Sequence, residues 1–142
     1  MESDGRDDRR ASRCHYAWAG RHVIKTFQGF VTGLEFIRSA EVVSADPRFD
    51  DLTCVYNDFV AIDGHSIDAA AYQRVAACRM GAMHTNPNYR VTFIATEPFL
   101  TELSHAIARA DATLPFHPVL FSSLAASQLW VARQPVLNLL RP

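Results

Sequence analysis

Leu52-Thr53-Cys54-Val55-Tyr56 is the stretch of sequence that decides the fold of this 142-residue chain. A nearly continuous apolar run of this length is typical of a strand that is covered on both faces, as in a parallel sheet. The sequence therefore predicts a buried, central strand here. A helix in this stretch, or a position at the solvent boundary, would contradict the predicted fold.

Further strands and amphipathic segments alternate on both sides of this run. Two stretches of loosely alternating polarity, Arg13 to Trp18 and His22 to Gln28, predict a leading hairpin with one strand at a sheet edge. Later strands are predicted from Tyr89 to Ala95 and from Pro118 to Phe121, and the proline makes the last an edge strand. The predicted fold class is α/β, with a mixed, mostly parallel central sheet, an N-terminal antiparallel hairpin and about four helices.

Four segments have the spacing of amphipathic helices, and most have recognisable ends. A capping box, Thr32-Gly33-Leu34-Glu35, opens the first helix, and Asp46-Pro47 closes it. Ser66 is the predicted N-cap of the second helix, and Ser122 or Ser123 that of the fourth. The predicted buried stripes of the first three helices are Leu34, Ile37 and Ala40, with Phe36 and Val43 beside them; Tyr72, Val75, Ala76, Met80 and Met83; and Leu100, Leu103, Ile107 and Ala110.

The composition predicts one domain and disfavours several classes of partner. Apolar residues make up 49% of the chain, which is enough for one core, and we expect residues 1–12 to be a disordered leader ahead of a single domain, 13–142. The formal net charge of −1 gives no field that would attract nucleic acid, and no apolar run is long enough for membrane insertion. The three cysteines, without a Cys-x-x-Cys pair or a secretion signal, favour a cytoplasmic setting.

Polar residues follow the predicted parallel strands, at the edge where ligands usually bind. The candidates for contact with a partner or ligand, or for a switch, are Asn57, Asp58, Asp63, His65, Ser66 and Thr96. This edge carries carboxylates but no lysine or arginine, and the chain has no glycine-rich phosphate loop, which argues against nucleotide chemistry. The six histidines lack the spacing of metal ligands, so we predict no metal site and no cofactor.

The order of these elements resembles a known family. The segment Gln28-Gly29-Phe30-Val31-Thr32, and Asp46-Pro47-Arg48-Phe49 ahead of the strand from Leu52 to Asn57, are similar to the SpoIIAA-like branch of the STAS domains. These domains are best known as bacterial anti-sigma-factor antagonists. The resemblance covers roughly Arg21 to Arg133 and implies a STAS-like fold with a regulatory role exerted through a protein partner.

The resemblance also implies a place for a phosphorylation switch. In the antagonists, an Asp-Ser-Ser-Gly or Asp-Ser-Gly signature after the central strand carries a serine whose phosphorylation releases a partner kinase. The matching stretch here is Ile62-Asp63-Gly64-His65-Ser66-Ile67-Asp68, in which the serine lies later than in the signature. A phosphate on Ser66 would be favoured by a helix N-terminus and repelled by Asp63 and Asp68; the alternative is that Ser66 is an ordinary N-cap.

Three functions are consistent with the sequence. The leading hypothesis is a non-enzymatic regulatory domain that binds a protein partner, with docking through the second helix, or forms a homodimer. A small-molecule or lipid carrier is the first alternative, and it requires a closed apolar pocket of roughly several hundred Å³. A weak hydrolase that uses Asp63, His65 and Ser66 is the second, and it requires a hydrogen bond between the serine and the histidine. The candidates for subunit contact are Tyr16, Trp18, Trp130 and the apolar tail Val136, Leu137, Leu139 and Leu140.

Overall fold

The computed structural model describes residues 13–86, 88–110 and 119–135. In these ranges five strands form one sheet in the order β1-β2-β3-β4-β5. β1 and β2 pair antiparallel, and all other neighbours pair parallel, so β3 is central and β1 and β5 are the edges. The predicted mostly parallel sheet with a leading hairpin is confirmed. The strands are β1 (Arg13–Ala19), β2 (His22–Thr32), β3 (Cys54–Ser66), β4 (Arg90–Ile94) and β5 (Val119–Phe121).

Helices cover both faces of the sheet. The helices are α1 (Gly33–Ala45), α2 (Ala69–Thr85), α3 (Phe99–Ala110) and α4 (Leu124–Ala132), and a short 3₁₀ helix (Pro47–Asp51) links α1 to β3. The aromatic core of Phe27, Phe36, Phe59 and Phe93 lies under α1, α2 and α3, on what we call the three-helix face. α4 covers the opposite face, on which Cys54 packs. The predicted leader and the apolar tail lie outside the described residues.

The decisive run is buried as predicted. Leu52, Cys54, Val55 and Tyr56 are each no more than 2% exposed, and β3 has a neighbouring strand on each side. Cys54 and Val55 belong to core clusters on opposite faces of the sheet, which is why the run lacks alternation.

Side-chain caps begin three of the helices, and one predicted cap is wrong. Thr32 Oγ1 accepts a hydrogen bond from the backbone N–H three residues later at 3.1 Å, and Ser123 Oγ does the same at 3.1 Å, so these two predictions are confirmed. At α2 the acceptor is Asp68 Oδ1, at 3.0 Å from the N–H of Ala71. Ser66 is still part of β3 and does not cap α2, because two residues separate the end of the strand from the first turn.

The stripe predicted for α1 is partly wrong. Phe36 and Val43 are buried as predicted, but Leu34 is 56% exposed and Ile37 and Ala40 are only partly buried. The third buried position is Ser39, which lies three residues after Phe36 and four before Val43. The pattern of apolar residues does not identify Ser39 as a core position, because serine is polar. It is buried because its hydroxyl accepts a hydrogen bond from a buried lysine of β2, Lys25.

β3 runs much further than the apolar run that predicts it. It continues to Ser66, so Asp63-Gly64-His65-Ser66 lies in a strand rather than in the predicted loop. Two irregularities in its register with β2 absorb the extra residues. Pairing with β4 stops at Asp58, which divides β3 into a covered half, residues 54–59, and a projecting half, residues 60–66, that in the described structure pairs with β2 alone.

Candidate functional site

A groove lies between the projecting half of β3 and the beginning of α3, and we call it the strand-end groove. It has a volume of about 280 Å³, and its lining includes Asp63, Gly64, His65, Thr96, Glu97 and Glu102. The structure thus brings together three of the six predicted candidates, Asp63, His65 and Thr96. It does so because the chain leaving β4 turns into α3 directly beside the end of β3.

His65 is held firmly in the wall of this groove. Its Nδ1 accepts the backbone N–H of Ile67 at 3.1 Å, so the neutral ring carries its proton on Nε2. Nε2 donates to Glu102 Oε1 at 3.0 Å. The ring also contacts Phe99, with 4.4 Å between the ring centroids. The imidazole is therefore fixed in one orientation by a backbone group, a carboxylate and an aromatic ring.

The groove is acidic. Asp63, Glu97 and Glu102 are exposed carboxylates in its lining, and the lining includes no lysine or arginine among the described residues. Glu97 Oε1 accepts hydrogen bonds from the N–H and the hydroxyl of Thr101 at 3.2 and 2.8 Å, which places its charge at the first turn of α3. An arrangement of this kind attracts a cationic group and repels phosphate.

Two predicted candidates have structural roles outside the groove. The prediction that Asn57 lies at the strand end is wrong: it is 2% exposed in the covered half of β3, where its Nδ2 donates to the carbonyl of Thr92 at 3.2 Å. Asp58 Oδ1 accepts the N–H of Val60 at 3.0 Å, at the first register irregularity. Its carboxylate thus satisfies a backbone group that the bulge takes out of the ladder.

Ser66 is exposed at the end of β3 but does not line the groove. The register pairs it with Thr32, the N-cap of α1, so its hydroxyl lies close to the beginning of one helix and two residues before Asp68, the cap of another. The side chain of Ser66 is accessible to a modifying enzyme. The carboxylate of Asp68 occupies the capping position that we predicted for Ser66.

The geometry does not support the hydrolase alternative. His65 and Ser66 are consecutive in an extended strand, so their side chains point to opposite faces. Both ring nitrogens of His65 are engaged, one by a backbone N–H and one by Glu102. A serine nucleophile and its base cannot form the required hydrogen bond in this arrangement.

Sequence reasoning missed the burial of two cations, Lys25 and Arg79, which are 2% and 7% exposed. Lys25 Nζ donates to Ser39 Oγ at 2.8 Å, and burial lowers the pKa of its amine to about 8. The available signal was the alternation of β2, in which Val23 and Phe27 face the core and a lysine stands between them. Arg79 lies at helical spacing from Tyr72 and Val75, on the stripe that predicts the buried side of α2.

No helix in the described parts of the chain has the length and apolar character needed to cross a membrane. No protein-family model matches the sequence, and no curated protein matches it either.

Two solved structures have a similar fold. One is the anti-sigma factor antagonist SpoIIAA in its unphosphorylated form, with a TM-score of 0.55 and 10% identity over 87% of this chain and 98% of that chain. The other is an uncharacterized protein of the DUF3478 family from Shewanella loihica, described as having a SpoIIAA-like fold, with a TM-score of 0.48 and 12% identity over 85% of this chain and 93% of that chain. The first likeness, at this level of identity, concerns the fold. The chain therefore has a SpoIIAA-like α/β fold, as the sequence resemblance implied.

Proposed function

We propose that this chain is a non-enzymatic regulatory domain that binds a protein partner at the strand-end groove through an arginine- or lysine-bearing segment of that partner. The observation that carries the proposal is the concentration of three carboxylates around a fixed histidine, with no basic side chain in the described lining. Asp63 and His65 belong to a strand and Glu102 to a helix, and Glu97 is hydrogen-bonded to the first turn of that helix, so the site is preorganised. We place this activity in the cytoplasm, because Cys14, Cys54 and Cys78 are all free thiols.

The chemistry of the groove suits a guanidinium group in particular. Glu102 and Asp63 offer charged acceptors, and the Phe99 ring next to His65 offers an aromatic surface for stacking. Val60 of β3, which lines the groove, and Phe30 of β2, which pairs with Gly64 of the groove, are 47% and 44% exposed. Exposed apolar groups next to a charged groove are typical of a protein-binding surface.

The comparison supports a regulatory role by analogy of fold. The similar SpoIIAA structure is described as an anti-sigma factor antagonist, a role defined by its effect on another protein. Ser66 is our proposed point of modulation, because it is exposed at the end of the strand that forms the groove. A phosphate there would add negative charge near Asp63 and Asp68, and we expect it to change the affinity for a basic partner.

Site-specific photocrosslinking tests the proposal. A photoreactive phenylalanine analogue replaces Val60 of the groove lining in one protein, and Val42 on α1, which is 51% exposed, in a matched control. Expressed in its own cells, the first protein should give one discrete crosslinked partner that the second does not. The purified partner should bind through a basic segment, and its affinity should fall with added salt.

Charge-neutralising variants decide whether the groove itself is responsible. Asp63→Asn combined with Glu102→Gln should abolish the crosslink from position 60, whereas Glu41→Gln on the exposed side of α1 should preserve it. The same product from positions 60 and 42, or a partner that binds equally well to the neutralised groove, would refute the proposal. Ser66→Asp tests the switch: an unchanged affinity for the purified partner would show that this serine does not modulate binding.

The described cavities do not favour the carrier alternative, which requires a closed apolar pocket. A groove of about 530 Å³ between α3, β5 and α4 includes Leu100, Leu120 and Phe121 in its lining, but it is open to solvent. The cavity under α1 and α2 has a volume of about 20 Å³, far below the several hundred Å³ that a lipid or drug-sized ligand occupies. The strand-end groove is larger but is lined by exposed carboxylates, which is unsuitable for an apolar ligand.

A further inference from the structure

The chain has a single lysine, and the fold buries it. Arginine supplies the other thirteen basic side chains, yet Lys25 stands 2% exposed on the three-helix face of β2. Its Nζ donates to Ser39 Oγ at 2.8 Å and lies 5.6 Å from the ring centroids of Phe27 and Phe36. Arginine keeps its proton in proteins, whereas a buried lysine can lose it and become a nucleophile. The buried Lys25 is therefore a basic side chain that can lose its proton and react as a nucleophilic amine.

A small cavity adjoins this amine. It has a volume of about 20 Å³, somewhat more than the roughly 10–15 Å³ that one water requires. Lys25 and Asn57, both 2% exposed, form its inner end, and the exposed residues Ser44 and Cys78 stand at its mouth between α1 and α2. The cavity admits a reactant of very few atoms and excludes larger ones.

Asn57 contributes an unsatisfied acceptor to the cavity. Its Nδ2 donates to the carbonyl of Thr92, but its Oδ1 is buried without a hydrogen-bond partner in the described structure. The register places Asn57 directly opposite Lys25 on the neighbouring strand, and both side chains lie on the three-helix face. A buried acceptor without a donor is destabilising, so a nitrogen that retains an N–H is favoured at this position over one that has lost every N–H.

The charges around the cavity favour an anionic product. Its described lining contains no aspartate or glutamate, and it includes the buried Arg79. Burial lowers the pKa of Lys25 to about 8, opposed by the thiols of Cys14 on β1 and Cys78 on α2. A fraction of the amine on the order of one tenth is then neutral at pH 7, compared with about one in three thousand for an exposed lysine.

We propose that Lys25 binds carbon dioxide reversibly as a carbamate. The lone pair of the neutral Nζ attacks the carbon of CO₂, and a new N–C bond forms. One C=O π bond breaks, its electron pair moves onto oxygen, and a proton leaves the nitrogen for water. The products are Lys–NH–COO⁻ and H⁺, with no change of oxidation state. The carbamate keeps one N–H, which can donate to Asn57 Oδ1 or to Ser39 Oγ, and the new carboxylate lies in a cavity whose lining includes the cationic Arg79.

Carbon dioxide fits these features better than other carbonyl electrophiles. An aldehyde would form a neutral or cationic imine, which lacks the N–H that Asn57 requires in its neutral form and gains nothing from Arg79. The body of a larger aldehyde would also exceed the cavity. Carbamate formation reverses the sign of the charge under α1, from an ammonium to a carboxylate, and so gives the domain a way to respond to dissolved CO₂.

Trapping and mass mapping test this on the wild-type chain. The full chain is incubated with ¹³C-labelled CO₂ near pH 8, treated with triethyloxonium to esterify any carbamate, and digested. We expect the labelled ester on the peptide that contains Lys25, with the α-amine of the first residue as the only other reactive primary amine. At subsaturating CO₂ the folded chain should carry on the order of a hundredfold more label at Lys25 than the urea-unfolded chain, because its neutral fraction is larger by that factor. Absence of label from Lys25 at saturating CO₂, or equal labelling of the folded and unfolded chains, would overturn the proposal.

Matched variants of α2 test the role of the second cation. Arg79→Met should lower the labelled fraction about tenfold at a fixed CO₂ pressure, whereas Arg74→Met, at an exposed position of the same helix, should leave it unchanged. Circular dichroism first establishes that each variant folds. If Arg79→Met does not fold, Asn57→Leu replaces it, and undiminished labelling in a folded variant would contradict the proposed site.

Discussion

The two halves of β3 differ in burial, in strand pairing and in the chemistry of their side chains. Residues 54–57 of the covered half are each no more than 2% exposed and lie between α4 on one face and the helices of the other. The projecting half, residues 60–66, pairs in the described structure with β2 alone, begins at one register irregularity, contains a second and lines an acidic groove. One strand thus supplies both the scaffold and the proposed site, and its neighbours decide which residues do which.

Truncating two adjacent side chains at the boundary between the halves tests whether the halves differ in packing. Phe59 is 1% exposed and stacks on Phe27 with 4.5 Å between the centroids, whereas Val60 is 47% exposed. Phe59→Ala should lower the free energy of unfolding by about 3–5 kcal/mol, and Val60→Ala should change it by no more than about 0.5 kcal/mol. Urea denaturation measures both. Similar losses in the two variants would mean that the projecting half is as tightly packed as the covered half.

The same boundary separates what the sequence predicts from what it does not. The buried run, the hairpin and the caps at Thr32 and Ser123 are local patterns, so each could be recognised from a few neighbouring residues. The extension of β3 to Ser66 could not, because Asp58 and Asp63 look like loop residues until the bulges that accommodate them are known.

Long-range pairs account for most of the site that sequence reasoning missed. Glu102 meets His65 across 37 residues, and Lys25 meets Ser39 across 14. The local sequence around one partner does not predict its contact with the other. The residue types of the groove were therefore predictable in part, as Asp63, His65 and Thr96 show, whereas the partners that orient them were not.

A second prediction concerns Lys25, which lies on β2 opposite Asn57 of the covered half. Burial lowers its pKa from 10.5 to about 8. Below pH 8 the amine is protonated in both the folded and the unfolded chain, so the full cost of burying the charge is present. Between about pH 8 and 10.5 the unfolded chain binds more protons, so the free energy of unfolding rises with pH. The rise contributed by this group is up to about 3 kcal/mol.

Lys25→Met removes the contribution of the amine together with its coupling to the thiols of Cys14 and Cys78, whereas phenols without such coupling affect both proteins alike. In buffers free of CO₂, the stability of the wild type relative to the variant should increase by up to about 3 kcal/mol between pH 7 and pH 10.5. At pH 7 the variant should be at least as stable as the wild type, since a buried charge is replaced by an apolar side chain of similar length. A difference independent of pH would show that Lys25 titrates as an exposed lysine does.

A third prediction concerns the point at which the projecting half ends and α2 begins. Asp68 caps α2, whereas Ser66 is exposed and still belongs to the strand. Asp68→Ala should lower the free energy of unfolding by about 1 kcal/mol, and Ser66→Ala should change it by less than about 0.5 kcal/mol. Thermal and urea denaturation measure both. If Ser66→Ala caused the larger loss of stability, Ser66 would be the cap of α2. Its hydroxyl would then be engaged by the helix and would not be available for modification.

The smallest expected effect on stability lies in the groove. The His65–Glu102 pair has side chains that are 21% and 58% exposed, and a pair so exposed contributes little to folding. Glu102→Gln retains an acceptor for Nε2, so it should change the free energy of unfolding by no more than about 0.5 kcal/mol, while it weakens crosslinking from position 60 several-fold. A loss of more than about 1 kcal/mol would make the pair a part of the scaffold, and the carboxylates could then be explained by stability alone. A neutral effect on folding together with a loss of binding would instead leave recognition of a cationic partner as the reason for their position.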